Sequence, residues 1–325
     1  MTPSAPAKVS VCIPVYNGSN YIAAAIQSIL SQTYTDLHLF VCDNCSTDNT
    51  EEIVRTFTDS RVTYIRNSTN LGPVGNANRC LELADGEYVS IFHHDDVMLP
   101  RNLELKVHVL DTNPAVGFVH SNIMLVDADA QVIAGDIWNV DSRRNYIDDG
   151  MSVLHRYLEY LPLGASIFIG SVLARRSCYE DVGQFSGDVP NCADSEMWMR
   201  MMIFYKVACI GVPLVLYRAH PGSASSSWGD YTSLPYLRQH YTAADMILNR
   251  YKKQIPQCKA LKRRVFLSFA DRAVELAGGL LTKGDTVHSG ECLSQAARFS
   301  PSILRWSRFW KVAAALTMRS DDVVT

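Results

Sequence analysis

Between Val9 and Phe92, short β-branched runs alternate with stretches of helical spacing, and the runs end in polar clusters. The run Val9–Val15 stops at Tyr16-Asn17-Gly18. Residues 21–30 then place Ile22, Ala25, Ile26, Ile29 and Leu30 at helical spacing, behind Ser19 or Asn20 as an N-cap. Residues 37–42 form the next buried-looking run, which ends in Asp43-Asn44-Cys45-Ser46-Thr47-Asp48. A helix over 51–57 follows, with Asp48 and Glu51 near the end where negative charge suits the helix dipole. The alternation continues with a strand over 62–65, a helix over 76–84 and a strand over 87–92. The last of these runs directly into His93-His94-Asp95-Asp96. Such alternation predicts βαβ units and a mostly parallel α/β sheet covered on both faces. Ligands of these sheets bind at the carboxyl ends of the strands, so the topology gathers the polar clusters at one rim.

After Pro100 the pattern changes. A helix over 102–110, a strand over Val116–Val126, a polar irregular loop over 135–150 and strands over 167–173 and 207–217 are expected, with a helix including 196–202. The Ser-rich stretch from Pro221 to Ser227 has loop composition and marks a boundary. Residues 1–7 are read as a disordered start, 8–225 as the α/β domain and 226–325 as a helical C-terminal region. Leu281 to Asp285, followed by a helix and Pro301, has the outline of one helical-repeat hairpin, but one copy is no array.

Composition excludes several classes. With 30 Lys+Arg against 33 Asp+Glu the formal charge is −3, so the chain as a whole is no polyanion binder. A content of 47% hydrophobic and 10% aromatic residues excludes a disordered chain. No apolar run reaches the ~18 residues of a membrane span, and residues 1–7 lack the apolar stretch of a secretory signal. Nine cysteines, an odd number spread along a long chain, read as reduced thiols of a cytoplasmic protein.

Adjacent carboxylates just past a strand repel unless a cation or solvent compensates, so His93 to Asp96 reads as a divalent-cation site or as a solvated turn. Cys42-Asp43-Asn44-Cys45 holds one CxxC, too little for a structural zinc site and outside a thioredoxin-like context. Its Asp43 and Asn44 offer hydrogen-bond partners for a nucleobase. Asp194 stands at a helix start, where a carboxylate also serves as a cap, and His220 alone reads as structural. Neither a GxxxxGK[ST] loop nor a GxGxxG turn occurs, which removes the P-loop and dinucleotide-oxidoreductase readings.

Seven pieces in order resemble the family 2 glycosyltransferases of the GT-A fold. They are Val9 to Asn17, Ser28 to Thr33, Asp43 to Asp48, Asn70-Leu71-Gly72 with Asn78, Gly86 through Asp95-Asp96 to Pro100, Asp194 to Arg200, and Tyr217-Arg218 with His220. The resemblance covers residues 8–225 and implies a Rossmann-like nucleotide-sugar-binding sheet with a C-terminal helical extension. It implies inverting transfer of a sugar from a nucleotide-diphosphate sugar to an acceptor hydroxyl, in polysaccharide or glycoconjugate biosynthesis. By the same resemblance, Pro14, Tyr16, Asn17, Asp43, Asn44, Asn70, Gly72, Asn78, His94 and Asp95 bind the nucleotide sugar. Asp95 and His220 take the metal, Mn2+ or Mg2+, and Asp194 is the general base. His93 stands where the family often has an acid, Asn44 replaces a frequent second Asp, and Ala193 precedes the base in place of an acid. The alternatives are a sugar-nucleotide-binding protein without turnover and a metal-dependent nucleotide-sugar hydrolase. Residues on an extended segment alternate sides, so His93 to Asp96 are not expected to converge as the hydrolase needs.

In the tail, Trp306, Phe309, Trp310 and Ala313 share one helical arc and Arg305, Arg308 and Lys311 another. The favoured reading is a helix that docks its aromatic face on the main domain. The other is peripheral contact of residues 302–325 with the inner face of a membrane, which suits a lipid-linked saccharide acceptor. No nucleic-acid partner is expected.

Overall fold

A computed structural model describes residues 6–137, 144–164, 167–223 and 233–321. The start of the chain, the middle of the 135–150 loop, most of the Ser-rich boundary and the last residues of the tail lie outside the described residues. The chain divides into two compact units, Met1–Val153 with Ser166–Ser223, and Leu154–Ala165 with Ala224–Thr325. The division is therefore not contiguous in sequence.

The first unit is an α/β domain built on one sheet. Its elements begin β1 (Val9–Val15), α1 (Ile22–Leu30), β2 (Leu37–Asp43), α2 (Thr50–Val54), β3 (Val62–Arg66), α3 (Gly72–Leu83) and β4 (Tyr88–Ile91). They continue with β5 (Val97–Met98), α4 (Asn102–Thr112), β6 (Val116–Val126), β7 (Val132–Ile137), β8 (Tyr146–Asp148) and the first turn of α5 (Gly150–Tyr160), whose remainder, from Leu154, counts with the second unit. Last come β9 (Val172–Arg175), α6 (Arg176–Val182), α7 (Ala193–Phe204) and β10 (Lys206–Arg218). One sheet runs in the order β3-β2-β1-β4-β9-β6-β10-β5, with β7 on β6 and β8 on β10. Strand β1 is parallel to β2 and β4, β2 to β3, and β6 to β10, while β9 is antiparallel between β4 and β6. The carboxyl ends of β1, β2, β4 and β10 thus share one edge.

The apolar runs follow from that placement, because parallel strands covered on both faces have no solvent side to make polar. Val11, Ile13, Leu39 and Val41 are fully buried with Ile22, Ile26 and Ile29 of α1. Neither Ser19 nor Asn20 caps α1 through its side chain. Tyr21 N–H and Ile22 N–H bond Gly18 O instead, and Ser19 N–H is committed to Asp48. Helix α3 starts at Gly72, before the expected residue 76. Pro73 suits the first turn, and Gly72, at φ +72°, makes the entry bend that costs an L side chain most.

The expected loop over 135–150 contains part of β7 and all of β8. Residues Val132, Ile133 and Ile147 are 56%, 57% and 45% exposed, so these strands carry no burial pattern. Their ladders come from β6 and β10, which the local sequence does not disclose. The strand expected over 167–173 opens instead with a helical turn, Ile169–Ser171, in which the Ser171 N–H and Oγ both bond Phe168 O.

The second unit is helical: α8 (Leu234–Arg250), α9 (Cys258–Thr282), α10 (Thr286–Phe299) and α11 (Ser307–Asp321). Gly284 turns the α9–α10 connection at φ +83°, and Asp285 Oδ1 caps α10 by accepting from His288 N–H at 3.1 Å. Tyr241 packs against Phe266 and Phe299, with ring centroids 4.4 and 4.5 Å away. In α11, Phe309 is buried, Arg308 pairs with Asp271 and Glu275, and Trp310 stays outside, so the aromatic arc of the tail is split. No helix among the described residues is long and apolar enough to cross a membrane.

Candidate functional site

The rim is assembled by backbone donors of the β1–α1 loop. Asn17, at φ +53°, donates its N–H to Ser46 Oγ at 2.9 Å and accepts Thr47 N–H on Oδ1 at 2.8 Å. Gly18 N–H reaches Thr50 Oγ1 and Ser19 N–H reaches Asp48 Oδ2, both at 2.9 Å. Burial alone would raise the Asp48 carboxyl, but the bonds from Thr50 and Ser19 outweigh it and hold it near about 2. A Cβ at Gly18 would lie 2.5 Å from Val15 and 2.6 Å from the His94 ring, so glycine lets β4's end approach this loop. Tyr21 touches the far side. Its ring lies 4.7 Å from that of His220 and 4.8 Å from the Arg218 guanidinium carbon. The loops after β1, β2, β4 and β10 are thereby joined, with Pro14 half-buried in β1 and Tyr16 46% exposed at the lip.

On the β2 side the polar groups satisfy one another. Asp43 is fully buried: Oδ1 accepts Ser46 N–H, and Oδ2 accepts Tyr64 OH at 2.5 Å and Arg66 Nη1 at 2.8 Å. Asn44 Nδ2 donates to Asn70 Oδ1 at 2.8 Å and Gly72 O at 3.3 Å, while its Oδ1 accepts from Asn67 Nδ2 and Leu71 N–H. Asn67 also donates to Asn76, which donates to Cys42 O. Asn67, Asn76 and Arg66 were not singled out in the sequence; an amide run beside a short strand was the available signal. Asn78 lies elsewhere. Its amide pairs twice with the Phe185 backbone, at 3.0 and 2.8 Å. The CxxC forms no unit: Cys42 is fully buried, and Cys45 is half-buried with Sγ 4.0 Å from Ser68 O.

The β4 side differs. Residues 94–95 form a turn, so the chain does not stay extended. Ligand atoms of His93, Asp95 and Asp96 come within 4.8 Å of one another, contrary to the expected divergence. Asp96 is 1% exposed; Oδ1 accepts Arg218 N–H at 2.9 Å, but Oδ2 has no hydrogen-bond partner. Burial, then the charge of Asp95, pushes its carboxyl well above the usual range. His93 Nδ1 lies 3.7 Å from that oxygen and His220 Nε2 lies 3.1 Å from Asp95 Oδ2. Burial lowers both His93 and His94, which keeps neutral imidazoles available as ligands. Two acids, a neutral imidazole and one unanswered buried oxygen fit a divalent cation.

Asp194 opens α7 and is half-buried, and its Oδ1 accepts Ser195 N–H at 2.7 Å. Burial raises its carboxyl to about 6. No described contact ties it to Asp95. Its helix is anchored by Trp198 Nε1 on Ile167 O at 3.0 Å, next to Phe168, whose ring meets His93 edge-on at 5.3 Å. Glu196 and Arg200 form a buried pair at 2.8 Å, and the guanidinium also serves the carbonyls of Val182, Gly183 and Gln184.

Residues 10–147 match the family model "Glycosyl transferase family 2", a segment that holds every rim loop except β10's. Less than half of the chain thus carries a match to glycosyl transferase family 2. The chain is 34% identical over 119 residues to the UDP-Glc:alpha-D-GlcNAc-diphosphoundecaprenol beta-1,3-glucosyltransferase WfgD of Escherichia coli, covering 37% of this chain and 47% of the relative. An uncharacterized glycosyltransferase of Rickettsia typhi is 26% identical over 249 residues, 76% of this chain and 73% of that one. The chain thus spans about half the length of the first of these relatives, 47%. Among solved structures, S. aureus TarS 1-349 in complex with UDP-GlcNAc superposes with a TM-score of 0.66 at 17% identity, over 96% of this chain and 89% of that one. The mannosyltransferase PcManGT of Pyrobaculum calidifontis, solved with GDP-Man and Mn2+, gives 0.54 at 21% identity, over 98% and 89%. At these identities the two likenesses show a shared fold.

Proposed function

We propose that this chain is an inverting, cation-dependent glycosyltransferase of family 2. It moves a sugar from a nucleotide-diphosphate sugar to a hydroxyl of a saccharide or lipid-linked saccharide, in polysaccharide or glycoconjugate assembly at the cytoplasmic face of a membrane. One observation carries the reading: the segment matching the family holds a buried carboxylate oxygen, Asp96 Oδ2, with nothing to answer it, beside Asp95. The named donors and acceptor of the relatives, UDP-Glc and a diphosphoundecaprenol-linked sugar, support the substrate class.

Asp95 would hold the cation, with His220, His93 and Asp96 as the neighbouring groups able to complete its shell. When bound there, a divalent ion offsets the charge on the departing diphosphate as a Lewis acid. The exposed Tyr16 ring offers a face for the base. Asn17, Asp43, Asn44, Asn70 and Gly72 act by holding the surrounding loops in shape, and His94 by packing over Gly18.

Asp194 accepts the acceptor hydroxyl's proton as that oxygen bonds the anomeric carbon. The bond from that carbon to the diphosphate oxygen breaks, and its electron pair leaves with the nucleotide. Attack opposite the leaving group inverts the centre; no second carboxylate has been assigned to form the covalent intermediate that retention needs. With a carboxyl near about 6, Asp194 is ionised at neutral pH yet more basic than an exposed aspartate.

A thermal-shift panel of UDP, GDP, ADP and CDP, with and without Mn2+ or Mg2+, tests the donor site. One nucleotide should raise Tm, and more so with the ion. Absence of any shift with every pairing overturns the reading. Radiolabelled nucleotide sugar incubated with and without saccharide acceptors separates transfer from hydrolysis; equal sugar release without acceptor would favour the hydrolase alternative.

A further inference from the structure

The helical unit carries an aromatic patch that its own packing leaves uncovered. Leu304, Trp306 and Trp310 are 41%, 40% and 56% exposed, whereas Phe309 is 7% exposed. Trp310 Nε1 donates to Leu304 O at 2.8 Å, which lays the indole beside the turn Pro301–Arg305 and leaves the rest of its ring apolar. Trp306 is the residue that ends that turn, so all three exposed residues adjoin it along the chain.

The charges that the tail segment itself carries are of one sign. Between Ser300 and Ser320 the sequence has Arg305, Arg308, Lys311 and Arg319 and no acid, within a chain of net charge −3. Arg308 is occupied by Asp271 and Glu275. Arg305 and Lys311 are exposed and hold no ion pair among the described residues. Two indoles at the surface, flanked by cations, match the requirements of a bilayer interface. Tryptophan partitions to the headgroup level, and Lys or Arg is drawn to anionic phosphates. We propose that Leu304, Trp306 and Trp310, flanked by Arg305 and Lys311, dock the protein on an anionic lipid surface. This agrees with the lipid-linked acceptor proposed for the reaction but does not depend on it.

The test uses the full chain, without donor or metal, in flotation with vesicles of phosphatidylcholine alone or with one third phosphatidylglycerol. Wild type should float with the anionic vesicles, more weakly at high salt, and its indole emission should shift to the blue. Trp306→Ser with Trp310→Ser should weaken binding at least tenfold, and Arg305→Glu with Lys311→Glu should remove the preference for phosphatidylglycerol. Circular dichroism and Tm check that the variants are folded, and the blue shift of wild type stands as evidence if one is not. No flotation at low salt, or a tryptophan variant that floats like wild type, overturns the proposal. So does a dimer in sedimentation velocity that the tryptophan variant dissolves, which would assign the patch to a second copy. None of these readouts measures transfer, so failure here leaves the catalytic reading standing.

Discussion

The loops after β2 and β4 stand on the same sheet edge with β1 between them, yet they are built on opposite plans. Around Asn44 both side-chain atoms are answered by Asn67, Asn70, Leu71 and Gly72, and Asp43 is answered three times over. Around Asp96 a buried oxygen has no hydrogen-bond partner, its neighbour His93 Nδ1 standing 3.7 Å away. A satisfied network keeps its shape without a ligand, whereas an unsatisfied buried polar group is complete only when a partner arrives. The difference gives the β2 side a shape that needs no ligand and leaves on the β4 side a buried group that a partner would complete.

The strongest challenge to that division is Asp194→Asn. It should lower transfer by about 10²–10⁴-fold with the fold intact, because a general base contributes on that scale. In the wild type, kcat/KM should fall about tenfold per pH unit below the Asp194 pKa of about 6, as the base becomes protonated. A near-normal rate in the variant would reassign the base.

Next is the β4 side itself. Asp95→Asn should cost roughly 10²–10³-fold in transfer, the scale of losing one preorganised electrostatic group. Asp96→Asn keeps the acceptor for Arg218 N–H and removes a carboxyl group that burial and Asp95 already disfavour as an anion. It should leave Tm of the metal-free protein near that of wild type while shrinking the rise that Mn2+ produces. If Asp96→Asn lowers Tm, the carboxylate is satisfied by something other than a cation.

On the β2 side the expected losses are of stability. Asn44→Asp places an oxygen against Asn70 Oδ1 and Gly72 O, and should lose about 1–3 kcal/mol by urea denaturation. Nucleotide affinity should follow only as far as the loop loosens. The smallest effect belongs to Asn78→Ala, which frees the Phe185 backbone and should cost about 1–2 kcal/mol. Its donor KM should be unchanged; a tenfold rise would return Asn78 to the nucleotide pocket.

Much of this was legible in the residues. Parallel strands buried on both faces must be continuously apolar, so Val9–Val15 and Leu37–Asp43 announce themselves. The polar residues that interrupt them fall at the strand ends, where ligands of such sheets lie. Edge strands escape this logic, and β8 is recognisable only beside β10. Asn78 illustrates a second limit, since an amide that binds ligand and one that clamps a loop are the same residue type. Its partner Phe185 lies 107 positions away. The convergence of His93 with Asp96 depended on a turn at 94–95 inside a run that reads as extended.

Periodicity and local polarity thus specified the sheet, its rim and the acidic end of β4, because each follows from near neighbours along the chain. Which polar atoms are already spoken for was a matter for the folded protein alone. Arg218 reaches Asp96 across 122 positions, and Asn44 meets Asn70 across 26. A hydrogen bond depends on distances of a few ångströms in space and carries no trace of its partner in the local sequence.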